Sequence, residues 1–150
     1  MKILVAMSGG VDSSAAALLL KRQGHDCAGC TMRLYDNADA GLSGRTCCSL
    51  DDVEDARSVA RSLGMKYYAF NFTDDFRERV MKKFAESYRR GLTPNPCIDC
   101  NRYMKFGKLY ERAQALGCSH IATGHYARIS RENGKYLLKK ALDGSKDQSY

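Results

Sequence analysis

The N-terminal segment constrains the fold most, because a short apolar run passes into a glycine-rich turn and then into a helix. Residues 2–7 are predicted to form a buried strand, residues 8–13 (SGGVDS) a tight turn, and residues 13–22 a helix that stops before Gly24. Successive backbone N–H groups in such a turn, together with a helix N-terminus, bind anions such as phosphate. The turn follows a strand, and open α/β sheets bind ligands at the carboxyl ends of their strands. The sequence therefore predicts phosphate binding here.

Strands and helices alternate through the rest of the first 123 residues. After the N-terminal unit, strands are predicted at residues 27–34, 67–72 and 118–123, helices after Ser49 and at 73–90 and 101–116, and loops at 36–48 and 91–100. This alternation is typical of parallel βαβ units, so we predict an α/β fold with a doubly wound, mostly parallel sheet. Asn133-Gly134 between two short apolar segments predicts a β-hairpin. We predict a nucleotide-binding domain at 1–125 and a hairpin extension at 126–150.

The amino-acid composition indicates which binding partners and which cellular compartment to expect for this protein. The net charge of +7 over 150 residues suits a polyanion such as RNA, although a solvated basic surface would give the same charge. No apolar run approaches the roughly 20 residues of a membrane span, and the N-terminus does not resemble a signal peptide, so we expect a cytoplasmic protein without membrane contact. Seven cysteines, an odd number, argue against a disulfide framework.

A second informative segment is Thr93-Pro94-Asn95-Pro96-Cys97-Ile98-Asp99-Cys100-Asn101-Arg102. Two X-Pro steps favour extended backbone and are expected to place Cys100 at the start of the next helix. A helix N-terminus and a nearby cation favour the thiolate, which is the reactive form of cysteine. A metal half-site, completed by Cys47-Cys48, and a buried structural pair remain alternatives to a reactive thiol. Adjacent cysteines chelate poorly, and no metal ligand is assigned.

The turn at residues 8–13 resembles the PP-loop of the ATP pyrophosphatase superfamily. The Gly-Lys-Ser/Thr ending of a Walker loop and the G-x-G-x-x-G dinucleotide fingerprint are both missing from it. The resemblance implies that ATP is cleaved between the α and β phosphates, that AMP passes to an oxygen atom, and that the loop holds the pyrophosphate.

Further motifs identify the sequence as a member of the tRNA-specific 2-thiouridylase (MnmA) family: residues 6–13, 48–56, 95–106, 122–127 and 146–150. The resemblance implies adenylylation of the C2 oxygen of the wobble uridine of tRNA. Sulfur from a cysteine persulfide, supplied by a sulfur-carrier protein or a cysteine desulfurase, then displaces AMP to give 2-thiouridine.

The same resemblance implies roles for individual residues. The nucleophile is Cys100, and the predicted ATP-binding residues are Ala6, Met7, Ser8, Gly9, Gly10, Val11, Asp12, Ser13, Met32 and Gly124. The predicted tRNA contacts are Asn95, Pro96 and Cys97 against the target base, and Lys146, Asp147 and Gln148 elsewhere on the tRNA. Asp12 is hypothesised to help position Mg²⁺. His125 follows a strand end and is expected to face the nucleotide, either bonding it or orienting the loop.

Two departures from the family pattern matter. The persulfide-carrying cysteine of the family lies beyond Tyr150, so we expect an N-terminal fragment that is inactive alone. Many members carry Asp at the position of Cys97, which leaves open a Cys97–Cys100 disulfide or an iron–sulfur cluster. Two other functions stay open: another PP-loop adenylylating synthetase or amidotransferase, and a non-catalytic nucleotide- or metal-binding module.

Overall fold

The computed structural model describes residues 1–35 and 50–150. The predicted loop at 36–48, the Ser49 cap, and the cysteines Cys47 and Cys48 lie outside the described residues. The described strands of the N-terminal part are β1 (Lys2–Ala6), β2 (Asp26–Arg33), β3 (Lys66–Asn71) and β4 (His120–Ala122). Helix α1 (Val11–Arg22) follows β1, and helix α2 (Leu50–Ser62) precedes β3.

Two longer helices each contain a π-helical stretch. Helix α3 consists of Thr73–Phe76, the π segment Arg77–Met81 and Lys82–Arg89. Helix α4 consists of Pro96–Asp99, the π segment Cys100–Lys108 and Leu109–Ala115. π-Helical turns are rare and occur often at functional sites.

The four described strands of the sheet are parallel and follow the order β3-β2-β1-β4, which confirms the predicted fold class. The chain moves outward from β1 to β3 and then returns to place β4 on the other side of β1. Strand order therefore reverses between β1 and β4, and ligands of open α/β sheets bind in the crevice outside the carboxyl ends of such a strand pair.

Alternate side chains of the central strand enter two separate cores. Leu4 packs on one side with residues of α3 and α4, such as Val80 and Met104. Ile3 and Val5 point to the other side and pack with alanines of α1 and α2. Because successive side chains of a strand alternate between faces, a strand buried on both faces reads as a continuous apolar run, which is the pattern of residues 2–7.

The start of α4 differs from the prediction. The helix begins at Pro96, not at Asn101, so the predicted loop at 91–100 is wrong over its last residues, and Cys100 lies in the second helical turn. Pro96 occupies a first-turn position, where proline costs no helical hydrogen bond, and the Asn95 side chain caps the helix by accepting a hydrogen bond from the Cys97 amide at 3.0 Å. The proline restriction acts on the preceding residue, Asn95, whose backbone is extended.

The C-terminal part forms an antiparallel hairpin of β5 (Ala127–Glu132) and β6 (Lys135–Lys140), as predicted. Asn133 and Gly134 connect the strands with φ angles of 49° and 77°, the left-handed conformation that a tight two-residue hairpin turn requires. A short 3₁₀ helix follows at Gly144–Lys146, where no element was predicted. Within residues 1–35 and 50–150, no helix has the length and apolarity to cross a membrane.

Candidate active site

A cleft of about 320 Å³ opens at the carboxyl ends of β1 and β4, where strand order reverses. Its walls come from parts of the chain that are far apart in sequence: the glycine-rich turn, the ends of β2 and β4, helix α4 and the C-terminal segment. The lining includes Ser8, Asp12, Ser13, Met32, Cys97, Cys100, Lys105, Gly124, His125 and Gln148. The structure thus brings most of the predicted site residues to one cavity, while their binding roles stay predictions.

Ser13 shapes the glycine-rich turn from the inside. Its side chain is buried, and its hydroxyl oxygen accepts a hydrogen bond from the Ser8 amide at 3.2 Å and donates one to the Gly10 carbonyl at 3.0 Å. Ser14 also donates its hydroxyl to the Gly10 carbonyl, at 2.9 Å. The Ser13 hydroxyl therefore fixes the turn conformation, whereas the Ser8 side chain is exposed toward the cleft.

Gly9 is required by the contact between the turn and α2. Its φ of +79° is in the left-handed region, and a Cβ atom at this position would lie 2.6 Å from the carbonyl oxygen of Asp52. Gly10 has a φ of −82°, and an added Cβ would meet only the Ser8 hydroxyl, at 3.6 Å. The two glycines thus differ: Gly9 permits close packing on α2, whereas a Cβ atom would be accommodated at Gly10.

Gly124 holds the exit of β4 against the N-terminus of α1. A Cβ atom there would lie 2.9 Å from the Ser13 amide nitrogen and 3.0 Å from the Asp12 carbonyl carbon. Because these are backbone atoms, they cannot move aside without shifting the helix start. The close approach gives Gly124 a structural role in addition to its predicted contact with nucleotide.

The two thiols of α4 face the same cleft as the turn. Cys97 is exposed in the first helical turn and Cys100 is half-buried in the second, so the expectation that Cys100 occupies the helix N-terminus is wrong. Their environment differs from that of the core cysteines. Burial raises the pKa of Cys30 to about 12, which keeps that thiol protonated and inert.

The cysteines of the described residues, namely Cys27, Cys30, Cys97, Cys100 and Cys118, form no disulfide with one another. No group of three or more potential metal-ligating side chains of the His, Cys, Asp and Glu types occurs in that part of the chain.

A polar network around His125 joins β4 to α4. His125 Nδ1 lies 2.6 Å from the Thr123 hydroxyl. His125 Nε2 lies 3.3 Å from Lys105 Nζ and 3.2 Å from Asn101 Oδ1. Burial, and secondarily the Lys105 charge, lowers the pKa of His125 below its ordinary value, so the ring is neutral at pH 7. Nε2 accepts a hydrogen bond from Lys105 when the ring hydrogen is on Nδ1, and it donates one to Asn101 Oδ1 when the hydrogen is on Nε2.

Lys105 was not predicted from the sequence as a residue of the nucleotide site. The lysine is half-buried and lines the cleft. The available signal was helical spacing, because Cys97, Asn101 and Lys105 are four residues apart and such residues share one helix face. A predicted helix that began at Pro96 would have placed them together.

Of the predicted tRNA contacts at 146–148, Gln148 lines the same cleft as the glycine-rich turn. Asp147 accepts hydrogen bonds from the Ala141 amide at 2.8 Å and from the Ser149 hydroxyl at 2.9 Å. Lys146 Nζ lies 5.3 Å from the ring centroid of Tyr126. The segment therefore forms one rim of the cleft.

Fold and cleft together define a class of α/β domain that has a glycine-rich turn where strand order reverses and a pair of thiols on the facing helix. The family model described as "tRNA methyl transferase HUP domain" matches residues 1–150, and the chain belongs to this family.

Relatives are similar across nearly the whole chain and confirm the resemblance to 2-thiouridylases. "tRNA-specific 2-thiouridylase MnmA" of Clostridium acetobutylicum is 53% identical over 150 residues, which cover 99% of this chain and 42% of that protein. The protein of the same name from Clostridioides difficile is 49% identical, with the same coverage. The chain thus spans about 42% of the length of these relatives.

Solved structures share the fold. A protein of Methanocaldococcus jannaschii described as a "predicted subunit of tRNA methyltransferase" superposes with a TM-score of 0.50 at 22% identity, covering 97% of this chain and 60% of that one. The glutamine-dependent NAD⁺ synthetase of Acinetobacter baumannii, solved with ADP, gives a TM-score of 0.53 at 20% identity and covers 82% of this chain and 21% of that one. At such identities the likeness concerns the fold alone.

Proposed function

We propose that this chain is the ATP-binding and adenylylating part of a tRNA 2-thiouridylase, with residues 1–125 as the nucleotide-binding domain and 126–150 as the start of a tRNA-binding region. The observation that carries the proposal is the shared cleft, in which the glycine-rich turn faces Cys97 and Cys100. The names of the relatives, which are tRNA-specific 2-thiouridylases, support the same activity.

The start of α1 fits a phosphate ligand. Its N-cap residue is Gly10, which has no side chain to satisfy the first amide groups, and no side-chain hydrogen bond caps the helix. Unsatisfied amides at the N-terminus of a 12-residue helix, combined with the helix dipole, favour an anion there. In this proposal the turn holds the β and γ phosphates of ATP, and Met32 and Gly124 border the rest of the nucleotide.

The exposed Asp12 carboxylate fits a Mg²⁺ ion that is held mainly by phosphates and water. Such an ion would neutralise charge on the departing pyrophosphate. Lys105, half-buried in the cleft, adds a positive charge for the α-phosphate, and neutral His125 keeps the lysine oriented through the Nε2 hydrogen bond.

The proposed reaction has two steps. The C2 oxygen of uridine attacks the α-phosphorus, the bond to the β-phosphate oxygen breaks, and pyrophosphate leaves. The Cys100 thiolate then attacks the inner sulfur of a persulfide and forms a disulfide. The released sulfur adds to C2 as AMP departs, and the product is 2-thiouridine. In this proposal the persulfide is carried by a cysteine of the full-length protein outside this chain, and its outer sulfur comes from a sulfur-carrier protein or a cysteine desulfurase.

A cationic cluster beside the cysteine helix supports tRNA as the substrate. Arg79 and Lys83 of α3 lie 5.8 Å from the ring centroid of Tyr103, and Arg102 of α4 lies 5.4 Å from it. Three cations around one aromatic ring suit an RNA backbone, because phosphates pair with the charges. Asp99 pairs with Lys83 at 2.6 Å, and Asp75 lies 3.9 Å from Arg79.

The test is pyrophosphate release by the full-length protein with ATP, with and without tRNA, alongside mass spectrometry of wobble uridine in cells lacking the protein. The expected results are tRNA-dependent release and loss of 2-thiouridine. Release that is equal without tRNA would contradict the proposal. Full activity of a Cys100→Ser variant would point to an adenylylating synthetase or amidotransferase instead. Iron and a visible absorbance band in anaerobically purified protein would assign a cluster to Cys97 and Cys100.

A further inference from the structure

Tyr126 makes contact with two parts of the cleft at once. Its hydroxyl donates a hydrogen bond to Asp12 Oδ1 at 2.6 Å, across 114 residues of sequence. Its backbone amide donates to Gln148 Oε1 at 3.1 Å, and its carbonyl accepts from the Gln148 amide at 2.9 Å. One residue therefore bonds both to the glycine-rich turn and to the C-terminal rim.

Tyr126 also holds the C-terminal rim, residues 146–148, in place. Two hydrogen bonds join the rim to the exit of β4, and both involve the Tyr126 backbone. Lys146 Nζ also lies 5.3 Å from the centroid of the Tyr126 ring, which adds a cation–π contact. The Asp147 carboxylate instead accepts hydrogen bonds from Ala141 and Ser149, which lie close to it in the sequence.

The backbone that carries Tyr126 is held firmly on the turn side. Gly124, two residues earlier, packs directly on the backbone of Asp12 and Ser13. The hydrogen bond to Asp12 raises the pKa of Tyr126, so the phenol remains the proton donor and Asp12 the acceptor at neutral pH. The Tyr126 hydroxyl thus fixes the direction of the Asp12 carboxylate at the mouth of the cleft.

We propose that Tyr126 is a positioning residue that couples the glycine-rich turn to the rim at 146–148. The inference rests on the proposed function, since it takes ATP with its metal as the ligand of the turn. A ligand that engages the Asp12 carboxylate competes with the Tyr126 hydroxyl and shifts Tyr126, and with it Gln148. Coupling between two sites is reciprocal, so a ligand at the rim alters nucleotide affinity by the same factor.

The Tyr126→Phe variant isolates this link, because it keeps the ring, the contact with Lys146 and both backbone hydrogen bonds and removes only the hydroxyl. Tyr136→Phe is the matched control: Tyr136 lies on the hairpin with its ring 75% exposed and also carries a cation, Arg131, at 5.6 Å. Asp12→Ala removes the acceptor from the other side.

The experiment measures amide hydrogen exchange of residues 141–150 in the full-length protein. It compares the free protein with protein saturated by Mg²⁺ and an ATP analogue that resists cleavage between the α and β phosphates. We expect nucleotide to change the exchange rate of the Gln148 amide at least several-fold in the wild type and in Tyr136→Phe. The change is expected to disappear in Tyr126→Phe and in Asp12→Ala, and the double variant is expected to match either single one.

A nucleotide-induced change in Tyr126→Phe equal to that in the wild type would overturn the proposal, and so would additive effects in the double variant. Pyrophosphate release separates this result from the proposed function. If nucleotide changes the exchange of Gln148 as expected but pyrophosphate release does not depend on tRNA, the proposed function alone is refuted. Normal tRNA-dependent release, together with a nucleotide-induced exchange change in Tyr126→Phe as large as that in the wild type, would refute the positioning role alone.

Discussion

Replacing Gly9 by alanine tests how closely the turn packs on α2. The substitution has two costs, one from backbone conformation and one from contact. At a φ of +79° a residue with a Cβ atom is disfavoured by about 1–2 kcal/mol. The new methyl carbon would also lie 2.6 Å from the Asp52 carbonyl oxygen, and relieving such overpacking costs about 1–3 kcal/mol. The expected total loss in the free energy of unfolding is about 2–5 kcal/mol.

Gly24→Ala is the matched control. Gly24 has nearly the same φ, +80°, but an added Cβ meets nothing within 4 Å, so only the conformational cost applies. Urea unfolding of both variants gives the difference as a shift in midpoint at unchanged slope. We expect Gly9→Ala to be less stable than Gly24→Ala by about 1–3 kcal/mol. Equal losses in the two variants would refute the close approach of α2 to the turn.

Three further predictions concern charge, pH and thiol reactivity. Arg102→Ala should weaken tRNA binding by the full-length protein and reduce its salt dependence by about one phosphate contact. Lys82→Ala should not, because that lysine of α3 is paired with Glu78, and equal effects would contradict the cluster. Because the pKa of His125 is lowered in the folded state, the unfolded chain binds its proton first. The free energy of unfolding should therefore fall as pH drops below about 6.5. In the His125→Gln variant the free energy of unfolding should depend less on pH in this range. Iodoacetamide should label exposed Cys97 rapidly and leave Cys30 unlabelled in the folded protein, and mass spectrometry of peptides would reveal the reverse.

Sequence patterns predicted the parts of the fold that depend on local chemistry. The β1–turn–α1 unit and the Asn133-Gly134 hairpin follow from apolar runs and from residues that tolerate special backbone angles. Strand order could not be predicted, because βαβ units can be stacked in several orders with the same local pattern. The start of α4 was misjudged because a proline signals extended backbone before it and is compatible with helix from its own position onward.

The site was predicted where a motif carried the chemistry and missed where a tertiary contact did. The turn and the two thiols were found from their residue types. The hydrogen bond of Tyr126 with Asp12 joins positions 114 residues apart, and no local rule brings them together. Lys105 is an ordinary helical lysine until the exit of β4 places His125 beside it.

Because β4 pairs with β1, the cleft can form during synthesis only after β4 has been made. The glycine-rich turn leaves the ribosome more than a hundred residues before Gly124, which forms its opposite wall. The proposed nucleotide site is therefore complete only after β4 has docked on β1. Retention of nascent chains on an ATP resin should report completion of this domain, with short chains passing through and chains that extend beyond the hairpin being held.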